Sequence, residues 1–230
     1  MDRVLEPELM DDLEQARAYA EADFAEPNSA FVELFAERCP AWSGSGAILD
    51  LGCGPGDIAL RLATGYPDCE VHGVDGSAAM LSFAERARAE HPAGDRVRFI
   101  HGLLPGAAMP RKHYQAIISN SLLHHLHQPE VLWQSIRELA VPGTVVLVMD
   151  LMRPSSASQA QALVDTYAVG EPEVLRVDFY NSLLAAFEPA EIETQLESAG
   201  LAGFRVGPVS DRHLAVWGVI PDPVRQETAS

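Results

Sequence analysis

The sequence predicts an α/β fold in which a doubly wound, mostly parallel sheet is covered by helices on both faces. Two observations support this. Between residues 47 and 151, short apolar runs alternate with segments of helical periodicity. The runs are apolar on both sides and bounded by Gly, Pro, Asn or Asp, as expected of strands in a buried parallel sheet. A hydrophobic fraction of 47% over 230 residues is enough for such a core.

The central elements follow from these runs. Strands are predicted over residues 47–51, 70–74, 97–100, 116–119 and 144–149. Helices are predicted over residues 58–62, 77–90 and 129–140. In the last of these helices, Leu132, Ile136 and Leu139 fall on one face. Strands separated by helices predict parallel pairing with crossovers.

The end of the chain has a different pattern. Residues 154–188 have mixed helical character, which predicts a helical insertion after the fifth strand that covers the sheet. Pro189 can open a further helix, and Gly200 is placed to end it. The apolar runs 204–209 and 213–220 are close enough to form a C-terminal antiparallel hairpin.

Residues 1–42 form a distinct acidic segment, with 11 acidic and three basic residues. Pro7 can open a first helix, and a second follows with Phe31 and Phe35 on its apolar face. Two interpretations stay open for this helical segment. It packs on the main domain, residues 43–230, or it acts as a lid with Tyr19 facing a ligand.

Composition excludes several classes of protein. The chain has 16 Lys and Arg against 33 Asp and Glu, a formal charge of −17, which disfavours nucleic-acid binding through a basic surface. The sequence has three cysteines, Cys39, Cys53 and Cys69, and no two of them form a C-x-x-C motif. Neither a disulfide framework nor a zinc site is therefore indicated. The acidic start and the lack of a long apolar run predict no signal peptide and no membrane span. We expect a cytoplasmic monomer or homodimer.

The strongest motif is Ile-Leu-Asp-Leu-Gly-Cys-Gly-Pro-Gly-Asp at residues 48–57, which predicts a strand, a glycine turn and a helix. Gly52 and Gly54 remove side chains where a ligand must touch the backbone. Such turns ordinarily suit nucleotides, but the spacing here is G-x-G-x-G and Asp57 would repel a diphosphate. The turn therefore favours a ligand without phosphates.

A second acid supports this interpretation. Asp75 ends the second predicted strand about 20 residues after the turn, where a carboxylate can bind both hydroxyls of a ribose. Ser77 is already available to cap the next helix. S-adenosylmethionine has a ribose, no phosphate, a cationic sulfonium and an amino group, so it satisfies these constraints.

On these motifs the sequence resembles the class I S-adenosylmethionine-dependent methyltransferases, which are Rossmann-like, and within them the small-molecule group of ubiquinone/menaquinone methyltransferases. Residues 119–126 and 139–148 match the fourth-strand motif and the approach to the fifth strand. The resemblance implies these cofactor contacts: Asp50, Gly52, Cys53, Gly54, Asp75, Gly76, Leu103, Leu104 and Asn120. Two places depart from the family: His101-Gly102 stands where an adenine-binding aspartate is common, and Thr144 replaces the second glycine after Pro142.

Histidines 124, 125 and 127 follow the fourth strand, at the edge of the sheet where ligands bind. His125 is the candidate general base or substrate contact, since histidine titrates near neutrality, and a structural role is the alternative. The three histidines cannot all point one way on a regular element, so no metal site is predicted.

Acceptor contacts are predicted at Tyr19, Arg153 and Tyr180, which are equally plausible as packing residues. The sequence Asn120-Ser121-Leu122-Leu123 lacks the Asn/Asp-Pro-Pro-aromatic motif of many nucleic-acid methyltransferases, which favours a small-molecule acceptor. The predicted function is S-adenosylmethionine-dependent methyl transfer. A dinucleotide-dependent oxidoreductase and a non-catalytic S-adenosylmethionine-binding protein remain alternatives.

Overall fold

The computed structural model describes residues 1–40 and 42–222, and within them the sheet has seven strands. They are β1 Gly46–Leu51, β2 Cys69–Asp75, β3 Val97–His101, β4 Tyr114–Asn120, β5 Ala140–Leu151, β6 Arg205–Pro208 and β7 His213–Val219. Their order is β3-β2-β1-β4-β5-β7-β6. The first five strands pair in parallel, and β7 runs antiparallel to both β5 and β6. The predicted fold class is confirmed, including the antiparallel hairpin.

Helices cover both faces of the sheet. They are α1 Leu13–Glu21, α2 Ala25–Arg38, α3 Asp57–Gly65, α4 Ala78–Glu90, α5 Glu130–Leu139, α6 Ala157–Tyr167, α7 Glu173–Ala185 and α8 Pro189–Ser198. Successive strand residues point to opposite faces, so Ile48 packs in the core that includes α2 and α3. Leu49 packs in the core that includes α5 and α8. The sheet is therefore buried on both sides, and its carboxyl edge is left for a site.

The first helix starts later than the sequence predicts. Pro7 does not open it; α1 begins at Leu13, because the Asp12 carboxylate accepts the backbone N–H groups of Glu14 and Gln15 at 3.0 and 2.9 Å. Residues 1–12, called the N-terminal segment below, contain no helix and run across the carboxyl edge of the sheet.

Of the two interpretations of residues 1–42, packing on the main domain is the one that holds for α2. Phe31 and Phe35 are fully buried in the core beside β1, α3 and β5. The N-terminal segment and α1, by contrast, lie against α4 and α7. The predicted cover, residues 154–188, contains α6 and α7, which share an apolar cluster with Leu151 at the end of β5.

Among the residues that the structure describes, no helix is both long and apolar enough to cross a membrane. Residues 223–230, which the sequence assigns to the main domain, lie outside the described residues.

Candidate active site

The turn between β1 and α3 is shaped by three glycines. Gly52, Gly54 and Gly56 have φ values of +74°, +51° and +84°, which side chains disfavour. A Cβ at Gly52 would lie 2.9 Å from Leu122, whereas a Cβ at Gly54 would meet nothing within 4 Å. The backbone is therefore packed tightly below the turn and accessible at Gly54, where a ligand can approach it.

Asp75, at the end of β2, supports this turn directly. Its Oδ2 accepts the N–H of Gly54 at 2.8 Å, and its Oδ1 accepts the N–H of Ser77 at 2.8 Å. Burial raises the pKa of Asp75, and these two hydrogen bonds oppose the rise. Each carboxylate oxygen can still accept a further hydrogen bond, so the two oxygens of Asp75 can bind two hydroxyls. Ser77 caps α4 by accepting the N–H of Met80 at 3.1 Å.

Two buried acceptor atoms at the same edge have no hydrogen-bond partner: Asp50 Oδ2 on β1 and Asn120 Oδ1 at the end of β4. Asp50 is 2% exposed, and burial together with the charge of Asp75 raises its pKa to about 7. Unpaired buried acceptors are costly unless a ligand supplies donors. The pair fits a group that carries N–H donors, such as an ammonium.

Cys53 lies in the turn but its thiol is directed away from solvent. The side chain is 8% exposed and packs with Leu81, Ala84 and Phe99. Burial raises the pKa of this thiol well above its ordinary value, with the charges of nearby acids adding to the rise. Cys53 is therefore not an activated nucleophile, and it can contribute to ligand binding through its backbone.

The neighbouring loop after β3 is divided between surface and core. Leu103 is 61% exposed, and its side chain lies over Gly76, 2.7 Å from where a Cβ would stand. Leu9 of the N-terminal segment lies over Gly76 at the same distance. Leu104 packs in the core instead. Sequence reasoning missed Leu9, because nothing local connects it to Gly76.

His124 is held rigidly beneath the site. It is 3% exposed, and its Nδ1 is hydrogen-bonded to Asp150 at the end of β5. Burial by itself would lower the pKa of His124, but the charge of Asp150 and this hydrogen bond raise it above the ordinary value. Asp150 also accepts the N–H of Leu123 at 2.6 Å. The ring of His124 is therefore fixed, with Nε2 free to face the site.

Glu6 of the N-terminal segment contacts both histidines, a contact that the sequence did not reveal. Its Oε1 lies 3.4 Å from His124 Nε2 and 3.1 Å from His125 Nδ1. Ser182 on α7 donates to the same carboxylate at 3.1 Å. His125 Nδ1 is buried but forms no hydrogen bond, since Glu6 lies off the direction that such a bond requires.

Two more side chains reach this region from the covering helices. Tyr19 on α1 packs against the ring of Phe24, with the ring centroids 4.8 Å apart and the planes tilted by 39°. Burial raises its pKa to about 12, and the charges of Asp150 and Asp75 add to the rise. Asp178 on α7 also has a raised pKa, mainly from burial, and its Oδ2 is buried without a partner. The structure thus places Tyr19 near the two acids, and Asp178 is a residue that sequence reasoning missed.

The other two predicted acceptor contacts, Arg153 and Tyr180, both take part in packing. Arg153 is 8% exposed, and its Nη atoms contact Ala186 O at 3.0 Å, Glu191 at 2.9 Å and Glu188 at 3.2 Å. Tyr180 packs on the apolar cluster of α6 and α7. Arg153 holds α8 beside the end of β5, and Tyr180 packs between the covering helices. That either residue binds the acceptor stays a prediction.

Comparison with known proteins agrees with this geometry. A family described as methyltransferase domain matches residues 48–143, which include the glycine turn, Asp75 and both histidines. The chain is a class I S-adenosylmethionine-dependent methyltransferase. Its cofactor is S-adenosylmethionine, and the open backbone at Gly54 with the unpaired acceptors of Asp50 and Asn120 fits that molecule.

The methyltransferase has relatives of known sequence and of known structure. An uncharacterized methyltransferase of Mycobacterium tuberculosis is 28% identical over 67% of this chain and 76% of its own length. The ubiquinone/menaquinone biosynthesis C-methyltransferase of Syntrophotalea carbinolica is 32% identical over 54% of this chain and 51% of its own. A putative S-adenosylmethionine-dependent methyltransferase of Methanococcus maripaludis has the same fold, with a TM-score of 0.69 at 14% identity, covering 96% of this chain and 98% of that one.

The methyltransferase family assignment does not favour the two alternative functions. Asp57 stands at the first position of α3, where a dinucleotide phosphate would otherwise lie. Its carboxylate binds Arg61 at 2.5 Å and Asn28 at 2.8 Å. The acid is therefore held in place at the helix N-terminus, which is unfavourable for a diphosphate.

Proposed function

We propose that this methyltransferase acts on a small-molecule acceptor, bound between the N-terminal segment, the turn at residues 121–127 and α7. The observation that supports this most directly is the position of Glu6, which contacts His124, His125 and Ser182 at once. A chain segment that joins both sides of a site leaves little room for a macromolecule. The acceptor is therefore a molecule small enough to be enclosed.

The N-terminal segment is held over the site by several bonds. Arg3 donates to His124 O at 2.8 Å and to Leu126 O at 3.0 Å. The N–H of Val4 donates to Leu184 O at 3.0 Å, and the His127 ring contacts Glu6 O at 2.7 Å. These contacts favour an enclosed reaction, which excludes water from the methyl donor.

The cofactor contacts follow from the chain's own groups. Asp75 would accept the ribose hydroxyls, the backbone at Gly54 would contact the methionine part, and Asp50 with Asn120 would accept from the ammonium. S-adenosylmethionine supplies an electrophilic methyl group on a positively charged sulfur. The protein has mainly to position the acceptor and to remove its proton where it carries one.

His125 is our candidate for that proton transfer. Its Nδ1 is buried and free of hydrogen bonds, so it can accept a proton from a bound hydroxyl or amine. The surroundings contain Glu6, Asp150 and Asp178, with Arg3 as the neighbouring cation. This excess of carboxylates disfavours an anionic acceptor and favours a neutral or cationic one.

We also propose a reducing, cytoplasmic location. Cys39, Cys53 and Cys69 are all buried as free thiols, which is typical of proteins from reducing compartments. That the protein is a monomer or a homodimer stays a prediction.

The proposal is tested by following methyl transfer from S-adenosylmethionine labelled on the methyl group. We expect the label to enter the low-molecular-weight fraction of a cell extract, and label found only in protein or nucleic acid would contradict the proposal. His125→Ala should lower kcat at least about 100-fold for an acceptor that must lose a proton. His113→Ala is the matched control, because His113 is exposed just before β4, at the opposite edge of the sheet.

A further inference from the structure

We infer that Glu6, His124 and His125 form a binding site for a divalent transition-metal ion, with zinc as the best-fitting ion. One oxygen of Glu6 and one ring nitrogen of each histidine all lie within 4.8 Å of one another. Two imidazoles and one carboxylate are a ligand set that catalytic zinc sites use. The prediction of no metal site rests on the three neighbouring histidines alone, because the sequence gives no sign that Glu6 lies beside them.

The spacing of these atoms fits a bound ion. Ligands at bond lengths of about 2.0 to 2.1 Å around a tetrahedral zinc lie roughly 3.3 Å apart. Glu6 Oε1 lies 3.1 Å from His125 Nδ1 and 3.4 Å from His124 Nε2. The two histidine nitrogens lie within 4.8 Å of each other, so the histidine side chains would have to move closer together for one ion to contact all three ligands.

A second layer of contacts supports the ligands. Asp150 is hydrogen-bonded to His124 Nδ1, which leaves Nε2 as the free nitrogen that faces Glu6. A carboxylate on the far nitrogen of a histidine is the usual support for a metal ligand, since it fixes the ring and makes it a stronger donor. Ser182 donates to Glu6 Oε1 at 3.1 Å and so helps to hold the carboxylate in place.

An unsatisfied nitrogen and the local charge also favour a bound cation. His125 Nδ1 is buried without a hydrogen-bond partner, and a metal bond would satisfy it. Both histidine rings lie close, with centroids 4.2 Å apart. The neighbouring acids are Glu6, Asp150 and Asp178, and the guanidinium of Arg3 lies beside them. A divalent cation would balance this excess of negative charge.

The ion also suggests a use, which rests on the proposed function: where it is bound, His125 Nδ1 is a ligand, and the metal takes over from His125 the removal of the acceptor's proton. Three protein ligands leave a fourth position that water or an acceptor can fill. A hydroxyl or thiol bound there loses its proton more readily than in water. Metal binding itself does not depend on that use, so it can be tested without knowing the acceptor.

The test is uptake of Zn²⁺ and Co²⁺ by the full chain, freed of any affinity tag and treated with a chelator. We expect one equivalent of Zn²⁺ per chain by calorimetry, and a visible Co²⁺ spectrum of the tetrahedral type. Glu6→Gln and His125→Ala should each weaken Zn²⁺ binding at least about 10-fold. Glu6→Gln is nearly isosteric, so its folding should be preserved, and circular dichroism checks this.

His113→Ala is the control, since it removes an exposed histidine far from Glu6. It should leave Zn²⁺ affinity unchanged. The inference is overturned if the wild-type chain shows no saturable uptake, or if His125→Ala binds Zn²⁺ as tightly as wild type. Entry of labelled methyl into the low-molecular-weight fraction, measured on the same samples, reports separately on the proposed function, so failure of the metal site and failure of the proposed function are distinguishable.

Discussion

The backbone N–H of Gly54 donates a 2.8 Å hydrogen bond to the carboxylate of Asp75. This bond joins the turn after β1 to the end of the neighbouring strand β2. The two strands pair in parallel as far as Leu51 and Val74. One acid therefore fixes the shape of the glycine turn and remains available to a ribose. The two strongest sequence motifs act as one unit.

Asp75→Asn tests this double role. An amide has one acceptor oxygen, so the variant must give up either the Gly54 bond or the Ser77 bond, together with one of the two acceptors for the ribose hydroxyls. Loss of one or two charge-assisted hydrogen bonds should weaken binding of S-adenosylhomocysteine by about 2 to 4 kcal/mol, or roughly 30-fold to 1000-fold. Titration calorimetry measures this. Asp68→Asn, on the exposed segment before β2, is the control, and equal affinities of the two variants would contradict the assignment.

Asp50 makes stability depend on pH. Its pKa is about 7 in the folded protein against an ordinary value of 3.8, so protonated Asp50 stabilises the fold fully below about pH 4. That contribution is lost as the pH rises through 7. Asp50→Asn removes the effect. The stability of wild type relative to Asp50→Asn should therefore fall by about 3 kcal/mol between pH 5 and pH 8. Urea unfolding at both pH values gives the difference, and a constant difference would refute the prediction.

Arg3 should control how firmly the N-terminal segment is held. It donates to His124 O and Leu126 O, and its guanidinium lies 3.9 Å from the centre of the Phe187 ring. Arg3→Ala removes these contacts, so amide exchange at Val4 should accelerate at least about 10-fold, with little change in the core. Hydrogen exchange measures both.

Arg17→Ala is a matched control for that variant, because Arg17 forms an exposed ion pair with Glu21 on α1. It should leave exchange at Val4 unchanged. Unaltered exchange in Arg3→Ala would mean that other contacts hold the segment.

Arg153→Ala separates a packing role from acceptor binding. Arg153 is buried between Glu188, Glu191 and the backbone of Ala186, so its removal should lower the free energy of unfolding by about 2 to 3 kcal/mol. Affinity for S-adenosylhomocysteine should not change. Denaturant unfolding and calorimetry give the two values. A stable variant with impaired turnover would instead support the contact predicted from the sequence.

Local patterns were enough to predict the sheet and the cofactor motif. Periodicity and turn residues depend on near neighbours, and parallel strands bring their carboxyl ends to one edge, which places Asp75 beside Gly54. The predicted start of the first helix, at Pro7, was wrong for a local reason. Asp12 caps the helix by accepting two backbone N–H groups, and Pro7 offers no such bond.

By itself, the amino-acid sequence determined the α/β class, the strand and helix pattern, the glycine turn and the family to which the chain belongs. Only the tertiary structure decided that Glu6 meets His124 and His125, and that Arg153 is held by glutamates on α8 and just before it. The physical reason is that the periodicity of a helix or a strand depends only on residues that are close together in the sequence. Partners that lie far apart in the chain are chosen by how the segments pack across the sheet, which no local pattern records.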